Sequence, residues 1–320
     1  MGARYLKAQI LKPSADEEEI NRRLNLTDCF LRHYLERENL RKDLGTCFDM
    51  ERLIARMGYE NCNGHDLLQL KKSLQLLPQI QKDLGTIKDC KELSYLSRNI
   101  GSYPELTDTL ERAISEDCPL TITEGGIFKE GYSKELDELI ELTSNDRKWI
   151  SDLEVREKER TGIHNLKLGF NTVFGYYIEI SAGQADMVKP EFGYIRKQTI
   201  KTAERYITPE LKEKEDLILR AKENRMSIEY RLFKELRKEI SKYTEPIQKT
   251  SDALAQLDYF LDLAFVSSEN RYVRPVFSND RTIDVAEARH PILEKAAPEV
   301  PFVSNDYHMG RDTDVLIITG

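Results

Sequence analysis

No apolar run in the sequence approaches the roughly 20 residues a helix needs to cross a bilayer. Mean hydropathy is −0.56 and 32% of the residues are charged. The opening residues, Met1 to Leu6, hold no apolar signal core, and Leu6 stands where a myristoylation motif wants Ser or Thr. Cysteine is sparse: Cys29, Cys47, Cys62, Cys90 and Cys118 are scattered, odd in number and free of any C-x-x-C pair, which argues against a disulfide framework or a zinc site. The five histidines are as dispersed. No Asp/Glu pair or Ser/His arrangement marks a catalytic centre. A soluble intracellular chain without a metal centre is the expectation.

An excess of positive charge is also missing. The net charge of −8 argues, taken whole, against nucleic acid as a partner, yet binding responds to the local field. Between Thr161 and Thr208 six bases (Lys167, Lys189, Arg196, Lys197, Lys201, Arg205) meet four acids (Glu179, Asp186, Glu191, Glu204), so this stretch is +2 while the remainder is −10.

What is present in quantity is helical patterning. At 320 residues and 40% apolar content the chain has room for two or three structural units. Ser14 with Glu17 reads as a capping box, and Ile20, Leu24, Thr27, Leu31 and Tyr34 continue an inward stripe, predicting one helix from Ser14 to about Asn39. Shorter helices are expected at Met50–Met57, Asp66–Leu77 and Glu105–Ile114, and a small hairpin over Leu120–Phe128 closed by Gly125-Gly126. Two longer helices dominate the centre. One runs from Ser133 to about Arg160 and stops at Gly162. The other starts at Thr208 as N-cap with Pro209 at the first helical position, and repeats Leu236, Ile240, Tyr243, Ile247, Thr250, Leu254, Leu257, Leu261 and Ala264. Pro246 should bend that helix or divide it.

Between them Leu166–Phe170, Val173–Ile180 and Tyr194–Ile200 alternate like strands, with Asn171 and Gly175 as turn or bulge points. From Ser267 onward, Tyr272–Phe277, Thr282–Val285 and Val315–Thr319 suggest strands joined by polar loops. Two long helices alone would suit an inert coiled-coil hairpin; a compact β unit at their end changes that reading.

The strings FNTVFGYYIEIS (Phe170–Ser181) and YIRKQTIKTAERYITPELKEKED (Tyr194–Asp216) resemble the clamp and descending lever of MutS proteins. LEVREKERTGI (Leu153–Ile163) resembles the ascending lever, and Met1–Pro13 the entry to the family's core domain. EARHPILE (Glu287–Glu294), PFVSND (Pro301–Asp306) and VLIITG (Val315–Gly320) resemble the start of its ATPase domain. The resemblance covers essentially the whole chain, in order. It implies a mainly α fold: a helical core (1–132), an ascending lever (133–163), a β-rich DNA clamp (164–207), a descending lever (208–266) and the beginning of a mixed α/β ATPase domain (267–320).

The resemblance also implies roles. Lys197, Lys201, Arg196 and Arg205 would neutralise phosphates without reading bases. Asn171 and Thr172 would add neutral hydrogen bonds to the backbone, against a plain turn role for Asn171. Tyr176 and Tyr177 read better as core than as stacking residues. Phe302 would stack on adenine, Asn305 would shape the same pocket, and Gly320 would be the first glycine of a P-loop. His290-Pro291 is a structural corner. The family's mismatch-reading Phe-x-Glu domain and a full P-loop are not among these residues. Phe128-Lys129-Glu130 and Phe233-Lys234-Glu235 match the tripeptide by chance. This chain is therefore expected to clamp duplex DNA without hydrolysing ATP and to hold no cofactor itself. ATP, Mg2+, homodimerisation and a MutL-type partner would belong to a full-length cytoplasmic protein, nucleoid-associated if prokaryotic. The rivals are a homologue acting on recombination junctions and a coiled-coil scaffold without DNA affinity.

Overall fold

In a computed structural model the chain is mainly helical, 63% of it in helices. The structure describes every residue except 145, 172–174, 297, 298, 300, 301, 311–314 and 318–320. The N-terminal half holds α1 (Gly2–Leu11), α2 (Glu17–Arg32), α3 (Tyr34–Thr46), α4 (Met50–Gly58), α5 (Gly64–Thr86), α6 (Leu93–Asn99) and α7 (Pro104–Ala113). The predicted Ser14–Asn39 helix is two helices broken at His33: both pack on a later helix, and the break lets α3 also pack on α5. Its cap is Asp16, whose carboxylate accepts the Glu18 N–H at 3.0 Å; the Ser14 hydroxyl accepts from Asp16 instead. The helix expected to stop before Pro78 runs on to Thr86.

The hairpin predicted over Leu120–Phe128 does not form. Residues Ile122–Glu124 make a single 3-10 turn, Gly125 and Gly126 both take positive φ, and Phe128 bridges back to Ile114. The reason lies 100 residues away. The fully buried carboxylate of Glu229 accepts the N–H groups of Gly126 (2.7 Å) and Ile127 (3.1 Å) and the Arg225 Nε–H (3.0 Å). Those amides are thus unavailable for a cross-strand ladder.

The central helices follow. The first predicted long helix is realised as α8 (Lys134–Ser144) and α9 (Asp146–Thr161), which stops at Gly162 with φ +73°. The second begins as predicted, with the Thr208 hydroxyl accepting the Leu211 N–H, and forms α10 (Pro209–Ser241). Its 33 residues span about 50 Å at ~1.5 Å per residue. A short turn at Lys242 and Tyr243 separates it from α11 (Thr244–Asn270), so Pro246 divides the helix rather than bending it. The heptad-like positions are all buried except the half-buried Tyr243. They serve different partners, however: α10 packs against α8, and α11 is the central helix on which α1, α2, α3, α4 and α6 pack. One large apolar core results, running from Leu26 to Ala264.

The insert between α9 and α10 is a four-stranded antiparallel sheet, β1 (Lys167–Asn171), β2 (Gly175–Ser181), β3 (Ile195–Thr199) and β4 (Ala203–Ile207), in the order β1-β2-β4-β3. Strand β4 was not anticipated. It has its own small core of Leu153, Ile163, Leu166, Ile178, Ile180, Tyr206 and Leu211, contributed by the sheet and the adjoining helix ends. The last segment holds an antiparallel pair, β5 (Ile283–Ala288) and β6 (Asn305–Met309), with α12 (Pro291–Ala296). Residues 272–277 and 315–317 form no strand, and the rest of the expected final strand lies outside the described residues. Among the described residues no helix is long and apolar enough to cross a membrane.

Candidate nucleic-acid interface

Strand β3 is an edge of the sheet, and all five of its residues are exposed. A strand with no buried face packs on nothing, so its sequence IRKQT is free to answer to something outside the chain. The register against β4 slips between Arg196 (opposite Tyr206) and Gln198 (opposite Arg205), which leaves Lys197 as the unpaired residue of a bulge. Bulges at sheet edges re-aim a side chain and block pairing with another strand. Lys201 follows at the β3–β4 connection, also exposed. Neither lysine meets an acid among the described residues, whereas Lys189 lies 3.6 Å from Glu191.

The two arginines are more committed. Arg196 donates to Glu204 at 3.3 Å. Arg205 donates to Glu179 at 2.8 Å and to Gln198 at 3.0 Å, and its guanidinium lies 4.5 Å from the centre of the Tyr177 ring. Glu204 also accepts from the Tyr206 hydroxyl; burial and that carboxylate together push the phenol up to about 12. Among the described residues of β3 and the β3–β4 connection, Lys197 and Lys201 are thus the cations without an ion pair. Asn171 closes the other end of the sheet, paired with Gly175, while Thr172 lies outside the described residues. Tyr176 and Tyr177 are both half-buried, and among the described residues of this hairpin the exposed aromatic is Phe170, edge-on to Tyr176 at 5.0 Å.

The sheet is held to the helices by carboxylates, beside its apolar core. Glu154 of α9 accepts the Leu168 N–H of β1 at 3.0 Å. Glu157, one turn on and buried, accepts the Tyr194 hydroxyl at 2.7 Å and Arg160 at 2.6 Å. Arg160 in turn donates to the Phe192 carbonyl at 3.2 Å. Burial pushes the Glu157 carboxyl up, but the Arg160 and Tyr194 hydrogen bonds outweigh it and hold the group below its usual range. On α10, Glu215 accepts the Tyr176 N–H of β2 at 3.1 Å. A signal for these acids existed: Glu215 falls four after Leu211 and three before Ile218, inside a buried stripe where a charge is out of place unless paired.

The remaining predicted residues lie elsewhere. Phe302 is half-buried and Asn305 is exposed at the start of β6, its amide donating to the Val303 carbonyl at 3.2 Å. Neither lines the cleft of about 680 Å³ beside β5, whose walls include Arg271, Tyr272, Glu287 and Arg289. Gly320 lies outside the described residues. Phe128 and Phe233 are core residues, in keeping with a chance match to the wedge tripeptide. Burial pushes the thiols of Cys29, Cys62 and Cys118 up, away from the reactive thiolate form.

Comparison with known proteins places these features in a family. Residues 1–264 match the model of MutS domain III. Over its whole length the chain is 43% identical to the DNA mismatch repair protein MutS of Geobacillus kaustophilus. It is 40% identical to the proteins of the same name from Staphylococcus haemolyticus and Staphylococcus aureus. The chain spans 36% of the length of the first two relatives and 37% of the third.

Proposed function

The chain belongs to the MutS family, matching its domain III, and on that premise we propose that the four-stranded sheet grips the phosphate backbone of duplex DNA. The observation that carries this reading is β3: a wholly exposed edge strand whose bulge turns out Lys197, with Lys201 beside it and no acid facing either among the described residues. Cations so placed neutralise phosphates and fix position without reading sequence. In this reading 164–207 is the clamp, α8–α9 the ascending lever and 208–266 the descending one, of which α10 is the arm and α11 the part anchored in the core built on 1–132.

The wider setting is proposed on the same family footing. A homodimer would close two such sheets around one duplex in the cytoplasm, at the nucleoid of a bacterial cell, and a MutL-type protein would act downstream. ATP and Mg2+ would be bound by the ATPase domain that residues 267–320 begin. Phe302 is half-buried, and none of the 320 residues forms a G-x-x-x-x-G-K-[ST] phosphate cradle. These residues by themselves therefore turn over no ATP.

Fluorescence anisotropy with labelled duplexes tests the reading. Two to four phosphate contacts give weak binding, about 10⁻⁴ M or weaker, with each contact contributing roughly 0.9 to the slope of log K against log salt. The double variant K197E/K201E should weaken binding to every sequence alike and flatten the slope by about two units. Matched and mismatched duplexes should bind equally, and the same preparation should release no phosphate from ATP. Unchanged affinity and slope in the double variant would remove the sheet as the DNA face.

A further inference from the structure

The β1–β2 pair ends at Asn171 opposite Gly175, and beside the shared apolar core one polar side chain ties that end to α10. Glu215 is buried, and both of its oxygens are engaged. Oε2 accepts the Tyr176 N–H at 3.1 Å, and Oε1 accepts Lys212 Nζ at 2.9 Å. Its carboxylate lies so close to Gly175 that a Cβ there would sit 2.1 Å from Oε2 and 2.2 Å from Oε1. Gly175 also has φ +82°, so glycine is required there twice, for its backbone and for the space the carboxylate fills. An acid in a buried stripe, over a glycine with no room for a side chain and accepting the next amide, is a fixed joint between helix and strand.

We infer that Glu215 is a positioning residue, locking the start of β2 at Gly175 and Tyr176 against α10 so that the sheet meets the DNA backbone in one orientation. The inference rests on the reading of the sheet as the DNA face. The joint transmits position in a direct way: a rotation of α10 carries Glu215, and with it the start of β2. The cationic strand β3 lies at the opposite edge of the sheet and does not touch this joint.

Site-resolved amide exchange and DNA anisotropy on the 320-residue chain test it together. Glu215→Ala should speed exchange at Tyr176 by roughly tenfold or more, the scale of one charge-assisted hydrogen bond, and leave Ile180, which pairs with β4, unchanged. DNA affinity should fall several-fold at an unchanged salt slope, because Lys197 and Lys201 stay in place. Glu215→Gln keeps an acceptor oxygen at the same reach and should recover most of both effects. Gly175→Ala should cost less in the Glu215→Ala background than alone, since part of its clash is then gone. The inference is overturned if Tyr176 protection does not move in Glu215→Ala. It is also overturned if affinity falls only with a flattened slope, which would mean general loosening of the sheet, or does not fall at all while K197E/K201E still lowers it. If K197E/K201E has no effect either, the DNA-facing reading falls, and with it the role of Glu215 at DNA. Exchange at Tyr176 would still report whether the joint exists.

Discussion

Single acids decide more of this structure than their number suggests. Glu157, Glu215 and Glu229 each occupy a buried position on a helix and each accepts from a group outside it. In the sequence they are a few glutamates among 56 acidic residues, and only their place within an apolar stripe sets them apart. Thr250 is similar: it keeps the repeat of α11, yet its hydroxyl accepts the Gly101 N–H at 2.8 Å, contacts the Tyr103 hydroxyl at 2.8 Å and donates to the Asn99 carbonyl at 3.1 Å. Spacing identifies such a residue as buried but not what it bonds to, since its partners lie about 150 residues away. Glu157 makes a pH prediction. Its carboxyl ionises below the ordinary 4.5 in the folded chain, so its stabilisation is complete above about pH 4.5 and is lost as pH falls through the lower folded value. Trp149, the one tryptophan, packs against the sheet's core and reports on this joint. Glu157→Gln should lower the stability read by Trp149 fluorescence at pH 7 by about 1–2 kcal/mol and make its acid transition below pH 4.5 shallower. Identical acid transitions in the two proteins would show that Glu157 does not carry this dependence.

At the scale of elements, the sequence displayed starts and stops better than continuity. Thr208-Pro209 opens α10 and Gly162 follows α9 as local rules require, because caps are decided within a few residues. A break that no proline marks was harder to read: the one at His33 depends on what α2 and α3 pack against, whereas Pro246 stands just past the division between α10 and α11. The two prolines make the contrast measurable. Pro246 is the third residue of α11, where a backbone N–H has no intrahelical partner to lose. Pro78 lies inside α5, yet Leu70, Leu74 and Leu77 before it and Ile80 and Leu84 after it are all buried, and that burial outweighs the missing bond. Pro78→Ala should therefore stabilise the chain by about 1–2 kcal/mol, the recovered helix bond less the entropy returned to the unfolded state. Pro246→Ala should change stability by about 1 kcal/mol or less, and in the destabilising direction. Urea denaturation followed by circular dichroism separates the two cases, and equal effects would contradict the argument. The mistaken hairpin over Leu120–Phe128 has the same origin, for Gly125-Gly126 is a turn signal whose amides were claimed by Glu229, far away in sequence.

Across the whole molecule, the mainly α fold and the β insert at the end of long helices were legible because helical and strand periodicities differ so plainly. Room for more than one core was legible from length and apolar content, but which residues join which core was not, since periodicity shows that a face is buried and not which core it joins. Among the described residues the large core gathers 41 buried apolar residues and the sheet's core seven. At about 1.5–3 kcal/mol for each large apolar side chain fully buried, seven supply a modest sum against the entropy of ordering some forty residues. The sheet must lean on its polar joints at Glu154, Glu157 and Glu215 and on the helix ends that support it. It should therefore open before the helical core does. In a urea titration the Trp149 signal should change at a lower midpoint than the far-ultraviolet helical signal, and Glu215→Ala should widen that gap by moving only the first transition. Coincident midpoints for both probes would mean that α10 couples the two cores into one cooperative unit. The expected order suits the proposed grip on DNA, because the part that would yield to a partner is the part with the least apolar burial of its own.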